Sequence, residues 1–120
     1  MRVLIVEDVV ELANIWRNHL QREGAEVLCA RTSDEAISLL SAHDVQVIIV
    51  ALLLAEGDSA MAVADYAQYR RPDARLIFVS DTDFFSDGSI FEVMGNARAL
   101  VPRATAPEDL AAMVEHYAEH

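Results

Sequence analysis

Residues 46–51 read Gln-Val-Ile-Ile-Val-Ala. A polar residue opens the run, and everything after it is apolar and mostly β-branched. A strand with no polar face is covered on both sides, which is the mark of a parallel sheet between two helical layers. The segment therefore predicts a buried central strand, and the rest of the chain must supply the layers.

Upstream, Thr32 and Glu35 have capping-box spacing ahead of Ala36, Ile37, Leu39 and Leu40, so a helix precedes the central strand. Before that helix, Ala25 to Ala30 reads as a strand. Gly24 stands where a helix C-terminal cap belongs. Val9, Leu12, Ala13, Trp16 and Leu20 recur at helical spacing and mark one apolar face. Arg2 to Val6 is a short β-branched strand. Cys29 falls inside the second strand and is expected to be a buried, inert thiol.

Downstream, Asp58 or Ser59 can cap a third helix carrying Ala60, Val63, Ala64 and Ala67. Pro72 stops it. Arg75 to Ser80 is the fourth strand. A short fourth helix is expected within residues 86–95, and Ala97 to Val101 is the fifth strand. Thr105 and Glu108 repeat the capping-box spacing, with Pro107 in the first turn. Leu110, Met113, Val114 and Tyr117 form the inner face of the last helix. Tyr66, Tyr69 and Tyr117 read as amphipathic packing residues.

Five strand–helix units alternate, which predicts a flavodoxin-like, doubly wound (βα)5 fold: a five-stranded parallel sheet with helices on both faces. The 120 residues fit one domain, residues 1–120. The chain stops soon after its last predicted helix, so no output domain is expected. The net charge of -11 and the absence of a Lys/Arg cluster argue against nucleic-acid binding. The longest apolar run, Val45 to Ala55, is too short to span a bilayer, and no secretory signal opens the chain, so a cytoplasmic protein is expected. One cysteine allows no internal disulfide and no cysteine metal cluster.

In a doubly wound sheet the site lies at the carboxyl ends of the strands. Strand one ends in Glu7-Asp8, a pair of hard oxygen ligands suited to Mg²⁺. The same pair also reads as solvated loop charge with Asp8 capping the first helix. Strand three ends at Ala51, strand four at Ser80 and strand five near Val101-Pro102. Asp81, Asp83 and Asp87 could approach Glu7 and Asp8 as a second cation site, or form a solvated acidic loop.

The stretches Val-Leu-Ile-Val-Glu-Asp (3–8), Val-Ile-Ile-Val-Ala-Leu-Leu-Leu-Ala-Glu-Gly-Asp-Ser (47–59), Arg-Leu-Ile-Phe-Val-Ser (75–80) and Ala-Leu-Val-Pro-Arg-Ala-Thr-Ala-Pro-Glu-Asp-Leu (99–110) stand in order along the chain. Together with residues 23–36 they resemble the CheY-like receiver domains of bacterial response regulators. The resemblance covers essentially the whole chain. It implies Mg²⁺ at Glu7 and Asp8 and a role in a two-component system or phosphorelay.

The departures are informative. Counting back from Asp58 puts Ala51 where the family carries its phosphate-accepting aspartate. A methyl group is neither nucleophile nor metal ligand. Counting forward from Gly95 puts the family's lysine at Pro102; counting back from Pro107-Glu108 puts it at Arg103, which keeps a cation. The two registers place opposite faces of the strand at the site. The switch aromatic becomes Ala99 or Leu100, neither aromatic. Ser80 keeps the hydroxyl type at the end of strand four.

A phosphorylation-independent pseudo-receiver is therefore expected, with weak Mg²⁺ binding if any and no enzymatic activity. It would act in trans on a histidine kinase, a phosphotransferase or another regulator. The expected contact surface, also available to a homodimer, is the fourth helix, strand five and last helix, with Phe84 and Phe85 as candidate anchors. A phospho-null form of a true receiver, with aspartate expected at position 51, fits the same residues. A small Mg²⁺-dependent enzyme using Glu7 and Asp8 lacks an identifiable nucleophile or base.

Overall fold

The central segment forms β3 (Val47–Ala51), buried along its whole length. The computed structural model of the chain describes residues 1–52, 54–80 and 96–119. β3 lies between β1 (Arg2–Val6) and β4 (Arg75–Ser80). β2 (Glu26–Ala30) pairs with the outer side of β1, and β5 (Ala97–Pro102) with the outer side of β4. All pairs are parallel, in the order β2-β1-β3-β4-β5. The expected doubly wound sheet is thus present. Its order reverses between β1 and β3, the switch point at which such sheets bind ligands.

Helices cover both faces. On one side, α1 (Val10–Arg22) and the last described helix, α4 (Pro107–Glu119), pack Ala13, Trp16, Leu20, Leu110 and Val114 onto Val3, Ile5, Val47, Ile49 and Ile77. On the other, α2 (Ser33–Ala42) and α3 (Ala60–Arg70) pack Ala36, Leu40, Val63, Ala64 and Ala67 onto Leu4, Ile48, Val50, Leu76 and Phe78. The period-2 alternation of the strands divides the core in two.

Local signals explain where elements start and stop. Gly24 adopts φ +94°, and α1 ends in a Schellman arrangement: the Gly24 N–H donates to the Gln21 carbonyl and the Ala25 N–H to Leu20. Thr32 caps α2 by accepting from the Glu35 N–H at 3.1 Å. Ser59, not Asp58, caps α3, accepting from the Met61 N–H at 3.0 Å. α3 ends at Arg70, two residues before Pro72.

Several expectations need correction. Asp8 does not cap α1: the cap position is Val9, without a side-chain hydrogen bond. Thr105 does not lead the last helix, which starts at Pro107; its hydroxyl donates to the Pro102 carbonyl at 2.6 Å and fixes the turn after β5. Cys29 is exposed, because β2 is a sheet edge. Tyr69 is 82% exposed, with its ring against the edge of Tyr66 and not in the core. The expected fourth helix, with Phe84, Phe85, Asp81, Asp83 and Asp87, lies outside the described residues. Among those described, no helix is long and apolar enough to cross a membrane.

Candidate functional site at the carboxyl edge of the sheet

Glu7 follows β1 directly and is buried, with its side chain fully enclosed. The backbone holds it there, since the Glu7 N–H donates to the Ala30 carbonyl at 3.0 Å and extends the β1–β2 ladder by one residue. Its Oε1 accepts from the Val9 N–H at 3.2 Å, at the mouth of α1. The solvated-loop reading therefore fails for Glu7. Asp8 remains partly exposed.

Arg103 comes from the turn after β5, on the far edge of the sheet. Its Nη2 lies 2.5 Å from Glu7 Oε1 and 3.5 Å from Asp8 Oδ1. Its own N–H donates to the Ser80 carbonyl at 3.0 Å, carrying the β4–β5 pairing one residue past the strand. Thr105 donates both its N–H and its hydroxyl to the Pro102 carbonyl. Pro102 itself pairs with Ser80 and is exposed. No cis peptide bond occurs among the described residues.

The pairing of β4 with β5 slips at one point. Leu76 faces Ala97 while Ile77 faces Ala99, so Arg98 is an extra residue, a β-bulge. A count forward from Gly95 crosses that bulge and stops at Pro102, one residue short of the cationic side chain that reaches Glu7. Past the bulge, Ala99 packs with the α1/α4 side and Leu100 with the α2/α3 side, both half-buried.

Ala51 closes β3 and is 1% exposed. It belongs to the same apolar cluster as Val6, Leu52, Leu54 and Ala60. The Leu52 N–H donates to the Val79 carbonyl at 2.8 Å, so the strand pairing runs past Ala51.

Burial pushes the Glu7 carboxyl above its ordinary value of 4.5, and the neighbouring Asp8 adds to the rise; the Arg103 guanidinium and the Val9 N–H pull the other way. Glu7 Oε2 is buried without a hydrogen-bond partner among the described residues. Among the described residues the donor set does not fit a divalent ion. Mg²⁺ needs several converging oxygens. Here one carboxylate oxygen is already bonded to a guanidinium, and no group of three or more His, Cys, Asp or Glu side chains converges among the described residues.

A second acidic residue, Asp58, links two helices. Its Oδ2 accepts from the Ser33 N–H at 2.7 Å and its Oδ1 from the Ser33 hydroxyl at 2.6 Å. Asp58 stands next to the α3 cap but serves the first turn of α2. The spacing offered it, beside Ser59, as a cap for α3 and gave no sign that it serves the neighbouring helix.

This architecture is that of solved receiver domains. A CheY-like response-regulator receiver domain from Methanospirillum hungatei is 21% identical and superposes with a TM-score of 0.85, over 98% of this chain and 93% of that one. The N-terminal domain of a response regulator/sensory box/GGDEF protein from Carboxydothermus hydrogenoformans is 22% identical, with a TM-score of 0.85 over 99% and 94%. The response regulator TrrA of Thermotoga maritima, solved in complex with Mg²⁺ and BeF, is 21% identical, with a TM-score of 0.82 over 97% of each chain. No family model and no curated protein matches the sequence. At these identities the likeness is one of fold: the chain has the CheY-like receiver fold.

Proposed function

We propose that these 120 residues act as one receiver-like signalling module that works by protein–protein contact, without an aspartyl phosphorylation cycle. The observation that carries the reading is Ala51. At the end of the central strand, beside the switch point, the chain presents a buried methyl group. A phosphoryl group needs a nucleophilic oxygen there. The remaining acidic pair faces Arg103, so one positive charge already stands against these two carboxylates.

The partner class that suits the fold is a histidine kinase, a phosphotransferase or another regulator, met in the cytoplasm. The enzyme alternative needs Glu7 and Asp8 available to hold a metal, and both carboxylates face Arg103. A second reading, a true receiver whose phosphate-accepting aspartate has been replaced, draws support from one observation. Glu7, Asp8, Ser80 and Arg103 gather at the carboxyl edge of the sheet, around the position that Ala51 occupies. That reading requires aspartate at position 51 to restore phosphate acceptance.

The test is binding of the purified protein to a panel of histidine-kinase and phosphotransferase domains, with and without Mg²⁺ and a small phosphodonor. The expected result is a partner bound with the same affinity under both conditions. Binding that appears only with the phosphodonor would overturn the proposal.

A further inference from the structure

We infer that the Arg103 guanidinium is the resident cation of this site, standing where a divalent metal would have to stand. The inference rests on the proposed role of Ala51, and it adds which cation faces the acidic pair in place of a metal.

One nitrogen, Arg103 Nη2, contacts both carboxylates, at 2.5 Å from Glu7 and 3.5 Å from Asp8. A cation bridging the pair through Glu7 Oε1 and Asp8 Oδ1 would compete with this nitrogen, and each carboxylate keeps one further oxygen, Glu7 Oε2 being buried. Ala51 supplies no third oxygen, so a metal ion would find few anionic ligands to compensate for its lost water. It would also meet a fixed positive charge at contact distance, where repulsion between like charges is strong.

The guanidinium is placed by the backbone. The Arg103 N–H is tied to Ser80, and the turn behind it is closed by two bonds from Thr105 to the Pro102 carbonyl. The stem of Arg103 is therefore anchored at the end of β5, while its head crosses to the end of β1. Both carboxylates belong to consecutive residues on a single loop, which one planar donor group can serve together.

The test uses Mn²⁺ as the probe, read by paramagnetic broadening of the Glu7 and Asp8 amide signals in the full chain, with Mg²⁺ as a competitor. The wild-type protein is expected to show no site-specific broadening at micromolar Mn²⁺. Arg103→Gln, which removes the charge and keeps most of the stem, is expected to bind Mn²⁺ more tightly by about tenfold or more. Arg103→Gln combined with Asp8→Asn is expected to lose that gain. If Arg103→Gln folds only when Mn²⁺ is present, the metal has taken over the role of the guanidinium and the inference stands. Equal affinity in wild type and Arg103→Gln, or micromolar binding at Asp8 in the wild type, would overturn it. Partner binding and phosphodonor response do not enter this readout, so its failure is distinguishable from failure of the proposed function.

Discussion

Arg103 and Glu7 are 96 positions apart in sequence, yet Arg103 Nη2 lies 2.5 Å from Glu7 Oε1. The contact joins the turn after β5 to the end of β1, and β3 and β4 lie between those two strands in the sheet. One partner is fully enclosed and the other is mostly so. Removing one member of a buried pair leaves an uncompensated charge, whereas removing both costs far less. Arg103→Ala should therefore destabilise the fold by about 3 kcal/mol in chemical denaturation. Adding Glu7→Gln in that background should cost little more. Losses that simply add would mean that the two side chains are not coupled.

Glu7 also sets a pH dependence. Its folded value lies above 4.5, so the native state keeps a proton that the unfolded chain gives up. The stability it contributes is present in full below the unfolded value and is lost as pH rises through the folded one. Wild type should therefore lose stability relative to Glu7→Gln across that interval. Parallel pH profiles for the two proteins would contradict the assignment.

Asp58 behaves in the opposite sense. The Ser33 hydroxyl, then the Ser33 N–H, hold its carboxyl below its ordinary value of 3.8. Its contribution is present above 3.8 and is lost as pH falls through the lower, folded value. Asp58→Ala should cost about 1 kcal/mol, as loss of a helix cap does. Ser33→Ala added to it should cost less than it does alone, because both act through one contact. Full additivity in thermal melts would show that the link contributes nothing.

Arg71 and Asp44 separate geometry from charge. Their ion pair is 2.7 Å long, but the Asp44 side chain is 79% exposed. Asp44→Ala should therefore change stability by less than about 1 kcal/mol. Arg71→Ala should cost more, because Arg71 Nε also donates to the Leu40 carbonyl near the end of α2, at 3.0 Å. Equal losses in the two variants would assign the whole effect to the ion pair.

Much of the fold was legible because it rests on local rules. The unbroken apolar run of β3 announced a sheet covered on both faces, and Gly24, Thr32 and Ser59 marked helix ends by their own chemistry. What stayed hidden depends on which elements become neighbours. Cys29 reads as a core residue until β2 proves to be a sheet edge. Asp58 reads as a cap for α3 until α2 arrives beside it.

The site was legible as a set of positions, with Glu7, Asp8 and Ala51 at strand ends. Its geometry was not. Counts from the two flanks disagreed between Pro102 and Arg103, and a bulge at Arg98 inserts the one residue by which they differ. A one-residue offset turns a strand's side chains to the other face. The burial of Glu7 had no local signal, since an acidic pair after a strand more often faces water.

The most direct test of the central claim is intact-mass analysis of the wild-type protein and Ala51→Asp after incubation with Mg²⁺ and a small phosphodonor, both confirmed folded. The predicted result is no phosphate on either protein: the wild type lacks the nucleophile, and in the variant Arg103 still holds the acidic pair that a metal would need. A single base-labile phosphate on Ala51→Asp would contradict this and mark Ala51 as a lone block in an otherwise competent receiver.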